Sequence, residues 1–145
     1  MEFCQNYDFS PFSILQVCVV DSDLNVVYHS LVKPDNPITN YLTRFSGITA
    51  DMLQDVTTKL KDVQAELRRL LPKDAIWIGQ SLNSDLKALQ MMHPYVIDTS
   101  VIFNITGCRG RKTKLSVLSQ MFLGQEIQCQ GAKGHDPKED ATAAM

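Results

Sequence analysis

Ile14-Leu15-Gln16-Val17-Cys18-Val19-Val20-Asp21 is a near-continuous apolar run of strand length. A strand with one wet face alternates apolar and polar residues, so a run of this kind belongs to a strand covered on both faces. Asp21-Ser22-Asp23-Leu24-Asn25 is turn-rich and Val26–Val32 reads as a second strand, which makes the pair a hairpin. Beyond the hairpin, Lys33–Asn40 holds two prolines, two asparagines and an aspartate and reads as a loop. In Thr57–Leu71, the residues Leu60, Val63, Leu67, Leu70 and Leu71 fall on one helical stripe, which Pro72 ends. Ala75–Gly79 is a short buried strand. Asn83 caps a helix running to about Met92, with Leu86 and Leu89 inward. Tyr95–Ile97 is another strand, and Asp98 or Thr99 caps the segment after it. Cys108–Lys114 is a basic loop and Leu115–Leu123 is helical in pattern. Strands and helices that alternate in this way predict a layered α/β domain.

The 145 residues suffice for one core. A net charge of −2 gives no overall field that recruits nucleic acid, although a local patch can do so. Arg109, Arg111, Lys112 and Lys114 form such a patch, which is either a solvated loop or a loop that contacts phosphates. Cys4, Cys18, Cys108 and Cys129 are far apart and form no C-x-x-C pair. That argues against a zinc knuckle and for reduced thiols inside a cell. No apolar run approaches the ~20 residues that span a bilayer, and Met1–Gln5 lacks the basic start of a secretory signal. No membrane partner is expected.

Asp136-Pro137-Lys138-Glu139 has the order of a capping box with proline at the first helical position, so a helix starts at Asp136. His135 stands just before it and Asp140 lies in its first turn. Asp85 lies in the first turn of the helix after the Ala75–Gly79 strand, and Glu2 lies in an apolar-flanked start. Taken singly, first-turn acids merely complement the helix dipole, by about 0.3–1 kcal/mol. As a set, carboxylates from separate elements make a hard-oxygen site suited to Mg²⁺ or Mn²⁺, and a nearby histidine can deprotonate water.

Several strings resemble the Rex-type eukaryotic RNA exonucleases of the DEDDh superfamily. Leu31–Ile38 resembles that family's VKPxxxI loop, Leu42–Thr49 its TRxSGIT segment, Gly79–Leu89 its second exonuclease motif and Gly134–Ala141 its third, with Ile97-Asp98-Thr99-Ser100 in the expected place. The resemblance implies an RNase H-like fold, a mixed sheet of about five strands flanked by helices, in one exonuclease domain over 1–145. It implies a metal-dependent 3′→5′ exoribonuclease that releases 5′-mononucleotides through two divalent cations, Mg²⁺ or Mn²⁺, at single-stranded RNA 3′ ends. No small organic cofactor is implied, a nuclear or nucleolar setting is, and the oligomeric state is left open. Glu2, Asp85 and Asp140 match the metal-binding carboxylates, and His135 matches the general base. Phe3 packs against the terminal base or sugar, or fills the core; Arg44 touches a phosphate, or fixes the Ser46–Thr49 loop. Gln80 stands where the family often has histidine, a change of little expected effect.

One departure is larger. The first motif's aspartate stands two residues before the position of Glu2, and Met1 occupies the position between. On the sequence as written, the first strand is expected to be largely missing, the last helix to be cut short and the domain to be incomplete at both ends. Weak binding of the metal pair and a nearly inactive chain are expected as a result. The alternatives are therefore a catalytically impaired, RNA-binding domain and, within the enzyme class, a 3′→5′ exonuclease acting on DNA.

Overall fold

The computed structural model describes residues 2–6, 12–108, 110–129 and 134–145, without the side chains of residues 2–6 and 12. The apolar run forms β2 (Phe12–Val20), which pairs antiparallel with β3 (Val26–Leu31) on one side and with β1 (Glu2–Asn6) on the other. The hairpin turn is held by Asp21, whose carboxylate accepts the backbone N–H groups of Asp23 and Asn25, each at 2.9 Å. Within Lys33–Asn40, read as a loop, the last three residues instead form β4 (Ile38–Asn40), which adds antiparallel to β1. The prolines and asparagines mark the loop but give no sign of so short a strand. The resulting order is β3-β2-β1-β4.

The register of β1 and β2 slips by one residue. Phe3 lies opposite Ile14 and Glu2 opposite Gln16, so Leu15 is the extra residue of a β-bulge. Alternation alone sets Leu15 opposite Ile14, and the bulge returns Val17 to the face of Ile14. Ile14 and Val17 pack with Val32, Val63, Leu67 and Leu89, whereas Leu15 packs with Ile48 and Leu53. Both faces of β2 are thus covered, as the unbroken apolar run requires.

The first of these clusters is closed by α2 (Leu60–Leu70), whose Val63 and Leu67 are buried. Its start falls three residues later than Thr57 because Asp62 reaches back to accept the Lys59 N–H at 2.8 Å, which fixes Lys59 as the cap. Next come β5 (Trp77–Gly79) and, after α3 (Leu82–Ala88), β6 (Val96–Asp98). β5 and β6 pair in parallel, with Gly79 opposite Asp98. The pairing is therefore mixed, in a four-stranded and a two-stranded sheet. Between β4 and α2 lie the short α1 (Thr43–Ser46) and a 3₁₀ turn (Asp51–Leu53). After β6 come α4 (Thr99–Ile102), α5 (Leu115–Leu118), a π-helical turn (Ser119–Leu123) and α6 (Pro137–Ala144). Ala144 packs with Leu115 and Ile127. No helix among the described residues is long and apolar enough to cross a membrane.

Candidate active site

The carboxyl ends of β5 and β6 lie side by side, where an α/β sheet commonly places a ligand site. Asp98, the last residue of β6, organises this end. Its Oδ1 accepts the Ser81 N–H at 2.9 Å, the Ser100 N–H at 3.0 Å and the Ser100 hydroxyl at 2.5 Å. Ser81 adopts a left-handed conformation, φ 58°, which costs a non-glycine residue about 1–2 kcal/mol. The bond to Asp98 compensates for that strain and sets the direction in which α3 leaves β5. Ser81, not Asn83, is therefore the cap, and Asn83 lies inside the helix, where its Oδ1 accepts from Lys112 Nζ at 2.8 Å. Lys112 Nζ also stands 3.7 Å from Asp98 Oδ2, tying the basic loop to this wall. Gln80 joins in through Thr113: its Nε2 donates to the Thr113 carbonyl at 2.6 Å, and its Oε1 accepts the Thr99 hydroxyl.

A cleft of about 690 Å³ opens here, lined by Asp85, His135, Asp140, Gln128, Lys112 and Phe45 among others. Burial pushes the Asp85 carboxyl up to about 6; Asp98 adds to the rise and Lys112 opposes it. Asp140 is also raised by burial, against the lowering effect of a hydrogen bond from Gln128 Nε2 to its Oδ1 (2.9 Å) and of nearby His135. His135 Nδ1 lies 3.7 Å from Asp140 Oδ2.

α6 starts as its sequence predicts, with Pro137 at the first helical position and the Asp136 carboxylate accepting the Lys138 N–H at 2.8 Å. Glu139 departs from the expected box. Its Oε2 accepts the Gln128 N–H at 2.8 Å and so holds Gln128 in a left-handed conformation, φ 62°. That strained backbone aims the Gln128 amide at Asp140, a role that nothing in the sequence pattern singles out.

The Leu42–Thr49 segment supports the opposite wall. Ser46 is 2% exposed; its hydroxyl donates to the Tyr41 carbonyl at 2.8 Å and accepts the Ile48 N–H at 3.1 Å. Thr43 Oγ1 donates to the Ile48 carbonyl at 2.7 Å. Gly47 ends α1 at φ 69°, and Gly134, φ 77°, packs directly on its backbone. The His135 N–H then donates to the Phe45 carbonyl at 2.8 Å. Two stretches far apart in sequence are in this way joined backbone to backbone beside the cleft.

Three of the four residues matched to catalytic roles, Asp85, His135 and Asp140, face one cleft. Glu2 and Phe3 lie on β1 opposite Gln16 and Ile14, two residues or more from the cleft residue Cys18 in β2; their side chains lie outside the described residues. Arg44 is exposed on α1 and is not among the cleft-lining residues, whereas its neighbour Phe45 is. Among the described residues, no three of the His, Cys, Asp and Glu side chains stand close enough to form a metal cluster. The donors nevertheless fit a hard divalent cation: two carboxylates open to one cleft, both held in desolvated surroundings that disfavour their charge.

The molecule is thus a mixed α/β protein with an acid- and histidine-lined cleft at its strand ends. The exonuclease family profile matches residues 9–145, and the chain belongs to that family. It is 55% identical over 119 residues to human RNA exonuclease 5, a match covering 82% of this chain and 15% of the relative. It is 41% identical over 133 residues to RNA exonuclease 1 of Saccharomyces cerevisiae, covering 91% of this chain and 24% of the relative. The chain thus spans less than a quarter of either relative. Among solved structures it is similar to the Pan2 catalytic unit of Neurospora crassa, with a TM-score of 0.81 and 28% identity over 99% of this chain and 24% of that one. The expected Rex-type resemblance and RNase H-like fold are both borne out.

Proposed function

We propose that the chain is a metal-dependent 3′→5′ exoribonuclease that releases 5′-mononucleotides. The observation that carries this reading is the convergence of Asp85, His135 and Asp140, from two helices and the segment before one of them, on a single cleft at the strand ends. The names of the relatives, RNA exonucleases 5 and 1, support RNA as the substrate.

Asp85 and Asp140, with Glu2, would hold two divalent cations, Mg²⁺ or Mn²⁺. When bound, such ions stabilise charge on the phosphate and on the leaving 3′ oxygen and make water a better nucleophile. His135 takes the proton from the attacking water. Because its Nδ1 is turned to Asp140, Nε2 is the nitrogen that accepts the proton, and Asp140 stabilises the resulting imidazolium. Gln128 fixes the orientation of Asp140. Lys112 and Lys114 on the cleft wall meet backbone phosphates, which position the strand without reading its bases. Contacts of this kind suit single-stranded 3′ ends.

The test is digestion of a 5′-labelled RNA with Mn²⁺, alongside a chelator control and a matched DNA. A ladder that shortens from the 3′ end, lost with chelator and lost in His135→Ala, is expected. Shortening from the 5′ end, or chelator-resistant digestion, would overturn the reading; equal digestion of DNA would replace RNA with nucleic acid in general.

A further inference from the structure

Gln80, the residue after β5, is half-buried, and both heteroatoms of its amide are taken by protein groups. Nε2 donates to the Thr113 carbonyl at 2.6 Å, and Oε1 accepts the Thr99 hydroxyl at 2.5 Å. Thr113 is where the basic loop is anchored. Among the described residues from 105 to 114 it is the one that is buried, at 8% exposure, and its hydroxyl accepts the Ile105 N–H at 3.1 Å. The rest of the loop bonds to itself. Thr106 Oγ1 donates to the Arg111 carbonyl at 2.9 Å, and the Arg111 N–H donates to the Cys108 carbonyl at 3.0 Å. Such a loop keeps its shape but takes its placement from its anchors.

Two anchors of different kinds are available. Lys112 Nζ reaches Asn83 Oδ1 and stands 3.7 Å from Asp98 Oδ2, but Lys112 is exposed. Contacts of an exposed charge hold little and are screened by salt. They also occupy the ammonium that a phosphate would take. The bond from Gln80 is neutral and ends on a buried residue, so salt leaves it intact and breaking it strands a carbonyl. Lys114 depends on neither anchor, because its carbonyl begins α5 by accepting the Val117 and Leu118 N–H groups, each at 3.1 Å.

Resting on the nuclease reading above, we propose that Gln80 is a positioning residue for the RNA backbone. By holding Thr113 it fixes the adjoining Lys112 at the cleft wall, where that lysine meets a phosphate. Gln80 acts through Lys112 and not through a contact of its own with the strand.

Two measurements test this. The first is limited trypsin digestion without RNA, comparing cleavage after Arg111, Lys112 and Lys114 with cleavage after Lys61, Arg68 and Arg69 in α2. Gln80→Met, which keeps the length and loses both bonds, is expected to be cut about tenfold faster in the loop, the effect of one lost bond to a buried group. Gln80→Glu keeps an acceptor for Thr99 but turns an oxygen to the Thr113 carbonyl, and should be cut at least as fast. Cleavage in α2 should stay at the parent rate in both, which separates a loosened loop from a loosened fold. The second is fluorescence anisotropy with single-stranded RNA at several salt concentrations, Ca²⁺ replacing Mn²⁺. Gln80→Met should reduce the slope of log affinity against log salt by about one, as loss of one phosphate contact does. In a Lys112→Ala background it should change neither slope nor affinity further. Loop cleavage at the parent rate, or equal weakening of RNA binding with and without Lys112, would overturn the assignment and leave the nuclease reading in place. If the parent chain binds no RNA, the nuclease reading falls and the assignment with it, whatever trypsin shows.

Discussion

Replacing Gly134 by alanine should damage this protein severely, because its site has no room for a Cβ. A Cβ at Gly134 would lie 2.1 Å from the Gly47 nitrogen, 2.4 Å from the Gly47 Cα and 2.8 Å from the Ser46 carbonyl carbon. All three are backbone atoms and cannot swing aside. The φ of 77° alone costs an alanine about 1–2 kcal/mol. Forcing the segments apart adds an overpacking cost of about 1–3 kcal/mol and weakens the bond from His135 to Phe45, which is worth about 1 kcal/mol. The loss comes to about 4 kcal/mol, or roughly 10 °C in melting temperature for a domain of this size. Two controls divide the effect. Gly124 has φ 65° with nothing near its would-be Cβ, so Gly124→Ala should show the conformational cost alone, about 1 kcal/mol. Gly110 has neither strain nor neighbours, and Gly110→Ala should be neutral. Thermal unfolding followed by circular dichroism reads all three. A Gly134→Ala chain that melts within about 2 °C of the Gly124→Ala chain would refute the reasoning, because the contact with Gly47 would then carry nothing.

The Asp85 carboxyl, raised by burial to about 6, favours the folded state while neutral. That contribution is complete below the unfolded value near 4 and is lost as pH rises through about 6. Asp85→Asn should therefore match the parent near pH 4 and be more stable at pH 8 by up to about 3 kcal/mol in chelator, as melting at the two pH values shows. Added Mn²⁺ should raise the melting temperature of the parent and have little effect on Asp85→Asn. Ser46→Ala leaves the buried Ile48 N–H without its acceptor and should cost about 2 kcal/mol in denaturant unfolding. Lys112→Ala should weaken binding of single-stranded RNA irrespective of sequence and reduce the slope of log affinity against log salt by about one, as titrations at several salt concentrations would reveal.

The hairpin and α2 are legible in the sequence because burial on both faces of β2 and on one stripe of α2 leaves no choice of residue type. The cap at Asp136 is legible because its cause is local. β4 is not, since a three-residue strand that borrows its partner from β1 has no period of its own. The start of α3 goes astray for a related reason: Ser81 is made a cap by Asp98, seventeen residues away. At the site, first-turn acids and a histidine can be picked out, but their convergence is a property of the β5–β6 pair. Phe45 and Gln128 escape notice altogether. One owes its place to a packed turn and the other to a glutamate on α6, and neither cause leaves a mark in its own neighbourhood of sequence.

The contact between Gly47 and Gly134 joins points separated by most of the chain, and closing so long a loop is slow and entropically costly. A ribosome delivering this polypeptide has already released the hairpin, α2 and α3 before the histidine segment leaves its exit tunnel. Until then the wall at Phe45 and Gly47 lacks its backbone partner, so the cleft is completed last. The order of the parts along the polypeptide thus sets a delay between synthesis and the completion of the cleft.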